Sequence, residues 1–296
     1  MAAKAALPGR LPAVLGGVAL AGIGIGAYSR YMMTVAHADG GAPPKAFGSG
    51  PAFLSLQLQS SEVVNHNTKR LRFALPTDEH VSGLPLTSAL LTFSWPKGSV
   101  LPCVRPYTPV TKSGEVGIIE LMVKKYPIGK QSTHLHSLQP GEYLRFVTPI
   151  PGYRWIPNKY PDITLIAGGA GITPMYQLIQ GILNNPEDKT RITLVFGVNT
   201  DADVLLESEF KEFESRFPHR FKATYTVSNP VAGSSHAKGY VTKELLSKVI
   251  TATPGVGDTK VFVCGPPAME NALVGNRTQQ GILGELGYTK DQIHRF

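Results

Sequence analysis

The sequence predicts an antiparallel β-barrel followed by a doubly wound α/β half, both behind an apolar N-terminal segment. Three observations predict it. Residues 52 to 150 offer short runs rich in β-branched and aromatic side chains with turn chemistry between them, the pattern of an antiparallel barrel or sandwich. From Asp162 onward, unbroken apolar runs alternate with helical stretches, as buried parallel strands and their crossover helices do. Between Leu11 and Ser29 there is no charged residue at all.

Leu11–Ser29, bracketed by Arg10 and Arg30, would run about 28 Å as a helix, close to the roughly 30 Å of a bilayer core. It is rich in glycine, and three readings compete: a retained anchor, a secretory signal ending near Val35-Ala36-His37-Ala38, or a mitochondrial signal-anchor, since no acidic residue precedes Asp39. We take residues 1–38 as a membrane anchor. Residues 39–50 (DGGAPPKAFGSG) read as a flexible linker that detaches this anchor from the remainder of the chain.

In the segment 51–157, Phe53 to Leu58 alternates with period two, as a half-buried strand should, and Arg70 to Leu75 and Gly117 to Val123 do the same. A further strand ends in Arg105-Pro106-Tyr107-Thr108-Pro109. Pro149, Pro151 and Pro157 then crowd a connection. In the segment 158–296, Ile163–Ala167, Ile192–Phe196, Ala223–Val227 and Val261–Cys264 read as parallel strands. Helices over Glu207–Phe217 and Lys243–Ile250 separate them, with a third carrying Met175, Leu178, Ile179 and Ile182 on one face.

Composition excludes several classes. Hydrophobic residues make up 42% of 296 residues, enough for real cores and too much for a disordered chain. Cys103 and Cys264 are the only cysteines, which excludes a disulfide scaffold, a cysteine-ligated iron–sulfur cluster and a four-cysteine zinc site; no metal site is expected. The net charge of +8 favours an acidic partner, a membrane surface or nucleic acid. Nucleic acid is rejected, because the basic residues form no run and no recognition motif occurs.

Three motifs carry chemistry. Gly168-Gly169-Ala170-Gly171 joins a strand to a helix that starts near Thr173-Pro174. A phosphate needs donors at a helix N-terminus and backbone free of Cβ atoms, although glycines at such a turn are often there for tight packing. In Arg105-Pro106-Tyr107-Thr108, Arg suits a pyrophosphate and Tyr offers a flat ring; taken alone, a proline-stiffened strand end with an exposed Arg is the plainer account. Cys264-Gly265-Pro266-Pro267 ends a parallel strand, where ligands lie in open α/β sheets; taken alone, Cys264 is a small buried hydrophobe.

The order of these motifs is more specific than any one of them. RPYT, then Gly129-Lys130-Gln131-Ser132, then GGAGITPM, then CGPPAM resembles the ferredoxin–NADP reductase superfamily over roughly residues 52 to 296. Within it the chain resembles the NADH–cytochrome b5 reductases, and its apolar N-terminus is similar to their fungal mitochondrial branch. The resemblance implies FAD across the barrel, NADH on the α/β half with NADPH as a weaker donor, and cytochrome b5 or a similar acidic haem protein as electron acceptor, with a quinone or a ferric chelate as the alternative acceptor. It also implies attachment to the mitochondrial outer membrane, with a processed intermembrane-space form or the endoplasmic reticulum as alternatives, and a monomeric catalytic domain.

By that resemblance Arg105 holds the flavin pyrophosphate, Tyr107 packs beside the isoalloxazine, and Thr108 reaches its N5. Val123, Lys124 and Tyr126 line the flavin and its adenine side, while Gly129, Lys130, Gln131 and Ser132 cap the pyrophosphate. Thr173 approaches the flavin, Gly168, Gly169 and Gly171 admit the NADH phosphates, and Cys264 sits against the nicotinamide. Pro106, Pro174, Met175, Gly265, Pro266, Pro267 and Met269 complete the two sites, with Thr108, Lys124 and Cys264 in the catalytic positions. Lys130 is the first residue expected at the cytochrome contact, followed by Lys124 or Lys125. Gln131 stands where Met is usual, and Ser228 stands where related animal enzymes carry an Asp that discriminates against NADPH.

Overall fold

Period-two alternation becomes burial in the first strand. In β1 (Leu54–Asn65) Leu56 and Leu58 face the core while Ser55 and Gln57 are exposed. The computed structural model describes residues 42–48, 51–250, 254 and 258–296. The expected anchor helix over Leu11–Ser29 lies outside them, and among the described residues no helix is long and apolar enough to cross a membrane.

β2 (Thr68–Ala74), β3 (Ala89–Ser94), β4 (Cys103–Tyr107), β5 (Ile118–Lys124) and β6 (Tyr143–Ile150) join β1 in a six-stranded antiparallel sheet of order β4-β3-β6-β1-β2-β5. The chain leaving β4 bridges back to the far edge at Pro109–Leu121, and the Val110 amide donates to the Glu120 carbonyl at 2.9 Å, so the sheet rolls toward closure. Leu56, Leu58, Leu71, Phe73, Leu90, Leu121 and Phe146 fill its interior. Phe47 lies in that interior too, 1% exposed, and the amides of Ala46 and Phe47 donate to Val81 and Ser82. The reading of 39–50 as a free linker is therefore corrected at Lys45–Gly48: an aromatic ring with a cavity to fill overrode the Gly/Pro composition around it.

The second sheet is parallel throughout, in the order β10-β9-β8-β7-β11-β12. Its strands are β7 (Asp162–Gly168), β8 (Arg191–Val198), β9 (Phe221–Val227), β10 (Ala237–Lys238), β11 (Thr259–Cys264) and β12 (Ile293–Arg295). The order reverses between β7 and β11, so the crevice for a ligand opens past Gly168 and Cys264. Successive side chains of β7 feed opposite layers. Ile163, Leu165 and Ala167 pack in one core and Ile166 in the other, which is why the strand reads as a continuous apolar run.

Helix α1 (Lys130–Ser137) sits on the barrel, and α2 (Ile172–Leu183) is wedged between the two sheets. The sequence shows one apolar face on α2, yet eleven of its residues are buried. Its second face meets the barrel half. Gln177 and Gln180 donate to the carbonyls of Pro109 and Val110 at 3.4 and 3.1 Å, and a Cβ on Gly181 would come within 2.4 Å of Leu86. Those polar and small residues, off the apolar face, are the contact surface. The remaining helices are α3 (Glu207–Arg216), α4 (Lys243–Val249), α5 (Pro267–Val274) and α6 (Ile282–Glu285).

Candidate active site at the junction of the two sheets

The motif order in sequence becomes a single cleft of about 1960 Å³ in space. One wall is the end of β4, Arg105 to Thr108, with the start of α1 above it; the other is the Gly168–Gly171 turn with Cys264–Pro267 beside it. Arg105, Lys124, Lys125, Lys130 and Arg295 line the cleft against a single acid, Asp203, among the described residues. That imbalance suits anionic ligands.

Arg105 is held at the mouth by its backbone. It pairs with Thr92 of β3, whose hydroxyl donates to the Arg105 carbonyl at 2.9 Å. Gln131, at 2% exposure, donates to the Thr92 hydroxyl at 2.9 Å and pairs with Ser94 as well. Gln131 lines the cleft as expected, but its amide is committed to this bridge. It positions the N-terminus of α1 over β4 instead of offering a free side chain. The first turn of α1 has Gly129 at its N-cap, no side-chain cap and no acidic residue, which leaves its amides aimed at an anion. A Cβ on Gly129 would fall 2.5 Å from the Ser132 hydroxyl, which accepts from the Tyr126 amide at 3.2 Å, so glycine is required there for the turn to close. These groups fit the pyrophosphate of FAD. Arg105→Ala is therefore expected to weaken FAD retention by about 1.5–3 kcal/mol, roughly ten- to a hundredfold in Kd, the usual scale for a charge-assisted contact. Flavin dissociation from the purified holoprotein measures it, and unchanged retention would remove Arg105 from the site.

The opposite wall is tightly packed. A Cβ on Gly171 would sit 2.2 Å from the Cys264 carbonyl oxygen, and one on Gly168 would sit 2.4 Å from the Met269 sulfur. Gly168 and Gly171 therefore bring β7 against the turn after β11 before they admit any phosphate. Gly169 alone, at φ +51°, has open space in front of it. The Gly265 amide donates to Glu270 in the first turn of α5 at 3.1 Å, and Glu270 pairs with Arg295 at 3.5 Å. Thr173, 8% exposed, donates to Ala170 at 3.2 Å, so it closes the glycine turn while lining the cleft.

Burial, aided by Glu270, pushes the Cys264 thiol up to about 12, so it stays protonated and uncharged in the physiological range. Burial also raises the Tyr107 phenol, with Cys103 and Tyr126 adding to it, and raises Tyr126 with a contribution from Cys264. Tyr107, Tyr126 and Cys264 all line the same cleft.

Most of the expected residues meet here: Arg105, Pro106, Tyr107, Thr108, Tyr126, Gly129 to Ser132, Thr173, Pro174, Ser228 and Cys264 to Pro267 with Met269. Three need correction. The Val123 side chain is fully buried in the barrel core and Met175 in the core beside β7, so neither lines the cleft; strand and helix periodicity turn them inward. Lys124 does line it, but its ammonium is paired with Asp203 at 2.7 Å. Asp203 is 5% exposed and also receives Asn67 at 3.1 Å and the Thr200 hydroxyl at 2.8 Å. Lys124 is therefore a tie from β5 to the segment after β8 and is not available for a cytochrome.

The sequence reading missed Asp203, Glu270, Tyr240 and His294. Glu270 had a signal, an acid in the first turn after a proline-started helix. Asp203 had one too, since Thr200 and Asp203 form a capping box.

Comparison with known proteins agrees with this layout. Residues 55–155 match the model of an oxidoreductase FAD-binding domain and residues 165–275 that of an oxidoreductase NAD-binding domain. The chain is 49% identical over 264 residues to "NADH-cytochrome b5 reductase 2" of Pyricularia oryzae, covering 87% of this chain and 80% of the relative. It is 48% identical over 289 residues to the protein of the same name from Emericella nidulans, covering 94% and 89%. Among solved structures, the cytochrome b5 reductase domain of Ulva prolifera nitrate reductase superposes with a TM-score of 0.75 at 27% identity, over 85% of this chain and all of that domain.

Proposed function

Because the chain belongs to the NADH–cytochrome b5 reductases, we propose that it takes a hydride from NADH onto FAD and passes electrons singly to cytochrome b5. The observation that carries the proposal is the single cleft into which an FAD-type strand end and a dinucleotide-type strand end both open. Flavin, when bound, accepts a two-electron hydride and releases one electron at a time, which a haem iron requires.

The chain's own residues supply binding and geometry. Arg105 and the α1 amides bind phosphate, and Tyr107 offers a ring and a protonated phenol at the flavin wall. Thr108 presents a hydroxyl, and Cys264 closes the nicotinamide wall with a neutral thiol. Walls set by close backbone packing would hold the flavin and the nicotinamide side by side and keep water from between them. Cys264→Ala is expected to slow flavin reduction by NADH about tenfold or more while FAD content stays full. Equal loss of flavin and of rate would instead make Cys264 a packing residue of the barrel site.

Lys130 and Lys125, both exposed at the cleft, are the cations we assign to the acidic face of the haem protein. Reduction of cytochrome b5 is expected to slow as ionic strength rises, because encounter between opposite charges is screened over about 8 Å at physiological salt. A salt-independent second-order rate would contradict docking through these lysines. We further propose that the catalytic part is monomeric and is tethered to the mitochondrial outer membrane through Leu11–Ser29. What supports the tether is the uncharged run between Arg10 and Arg30 and the lack of acidic residues before Asp39. Resistance of the full chain to carbonate extraction from mitochondria tests it, and release into the soluble fraction would overturn it.

A further inference from the structure

We infer that the loop between β3 and β4, with the turn ahead of α1 beside it, docks on an anionic lipid surface. Trp95, Val100, Leu101 and Ile128 enter the interface, and Lys97 meets the headgroups. The contact uses only side chains of the described residues, so it holds with or without the Leu11–Ser29 tether.

Two exposed segments leave one joint. β3 ends at Ser94, whose hydroxyl donates to the Gln131 side chain in the first turn of α1. The segment after Ser94 and the segment before Gln131 therefore emerge side by side, and Leu101 and Ile128 line the same cleft. Trp95, Leu101, Val100 and Ile128 are 60, 72, 87 and 95% exposed. A single exposed apolar side chain is ordinary on a protein surface, but these adjoin one another and form a patch.

Charge narrows the occupant. No acidic residue occurs from Trp95 to Thr108 or from Lys124 to Thr133, while Lys97, Lys125 and Lys130 are exposed. An apolar surface set among lysines is attracted to anionic headgroups and buries its apolar side chains at the acyl boundary. An acidic protein would attract the same lysines, and Lys125 and Lys130 remain the cations for the haem protein. What favours lipid for the loop is how it satisfies its polar groups. Backbone that enters a bilayer has no water to bond with and needs internal partners. The Trp95 indole N–H donates to the Ser99 carbonyl at 2.8 Å, and the Ser99 hydroxyl donates to the Leu101 carbonyl at 2.8 Å. The Ser99 amide donates to the Pro96 carbonyl at 2.9 Å across a turn that Gly98 makes at φ +76°. Pro96 is buried at the base of the loop, and neither it nor Pro102 has an N–H to satisfy. The loop thus turns its apolar side chains outward with its hydrogen bonds made within, and tryptophan is a residue that favours headgroup depth.

The test is tryptophan fluorescence of the full-chain holoenzyme on vesicles whose acyl chains carry bromine, a short-range quencher. The chain has two tryptophans, and Trp155 donates to Asp188 at 2.8 Å elsewhere in the fold, so the difference between wild type and Trp95→Phe reports Trp95. Wild type should lose emission on brominated phosphatidylcholine mixed with phosphatidylserine, and Trp95→Phe should not. Lys97→Glu and Val100→Asp should each cut that loss about twofold or more while melting temperature stays unchanged. Equal quenching of wild type and Trp95→Phe, or equal quenching of wild type without phosphatidylserine, would overturn the inference. So would a Trp95 shielded from aqueous iodide before lipid is added, since the chain's own N-terminal segment or a second copy would then cover the patch. Protection of Trp95 from iodide by cytochrome b5 but not by vesicles would give the surface to the haem protein instead. Release of the chain by carbonate with Trp95 quenching intact would support this contact and remove only the tether.

Discussion

Gly171→Ala should fold with its FAD and yet reduce that FAD from NADH ten- to a hundredfold more slowly, about the loss expected when reacting groups are displaced by 1 Å. The added Cβ would lie 2.2 Å from the Cys264 carbonyl oxygen and 2.5 Å from its carbon. Both are backbone atoms, so neither can rotate away, and overpacking of this kind costs about 1–3 kcal/mol. The strain is relieved by moving the turn after β11, which carries Cys264 and Gly265, while the α1 amides and Arg105 stay in place on the barrel. Gly169→Ala is the control. It carries a left-handed φ of +51° but meets nothing within 4 Å, so it should cost about 1–2 kcal/mol of backbone strain without displacing Cys264. Flavin stoichiometry, melting temperature and the single-turnover rate of flavin reduction separate the two. Equal rates in both variants would mean that the β7–β11 contact does not set the hydride geometry.

The second large effect concerns Asp203. Replacing it by Asn leaves the Lys124 ammonium, at 16% side-chain exposure, without its countercharge, and breaking one partner of so buried a pair costs about 3 kcal/mol. Lys124→Met should cost a similar amount, and the double variant clearly less than the sum, because the pair is one unit. Burial alone would raise the Asp203 carboxyl, but hydrogen bonds from Lys124, Thr200 and Asn67 overcome that and hold it at about 2. A carboxyl whose folded pKa is depressed stabilises above the unfolded value of about 3.9 and loses that contribution as pH falls toward the folded one. Wild type should therefore lose this increment between about pH 4 and pH 2, and Asp203→Asn should show no such loss. Denaturant midpoints across that range measure it. Parallel acid profiles for the two proteins would show that Asp203 is not the charged partner of Lys124.

The barrel and the parallel sheet were legible because their signals are local. Leu56 and Leu58 alternate, and Ile163 to Ala167 run unbroken, as strands buried on one face and on two must. The two walls of the site were legible in motif order. What was hidden depends on register and on contacts far along the chain. Lys124 reads as a ligand-facing base until Asp203 arrives from the other sheet. Phe47 reads as part of a Gly/Pro linker until the barrel supplies a place to bury it. Gln131 reads as a departure at a binding position, and only the positions of Thr92 and Ser94 reveal it as a bridge.

If one cleft brings a flavin and NADH together and hands the electrons to a haem protein, both half-reactions must be visible in the flavin itself. Anaerobic stopped-flow mixing of the yellow, purified holoprotein with NADH, and then with oxidised cytochrome b5, follows them directly. NADH should rapidly bleach the oxidised flavin absorption. That absorption should then recover as two equivalents of cytochrome b5 are reduced per flavin, about one electron to each haem. A protein that purifies without flavin, whose flavin is untouched by NADH, or whose reduced flavin persists in the presence of oxidised cytochrome b5, would contradict the shared cleft and its electron path.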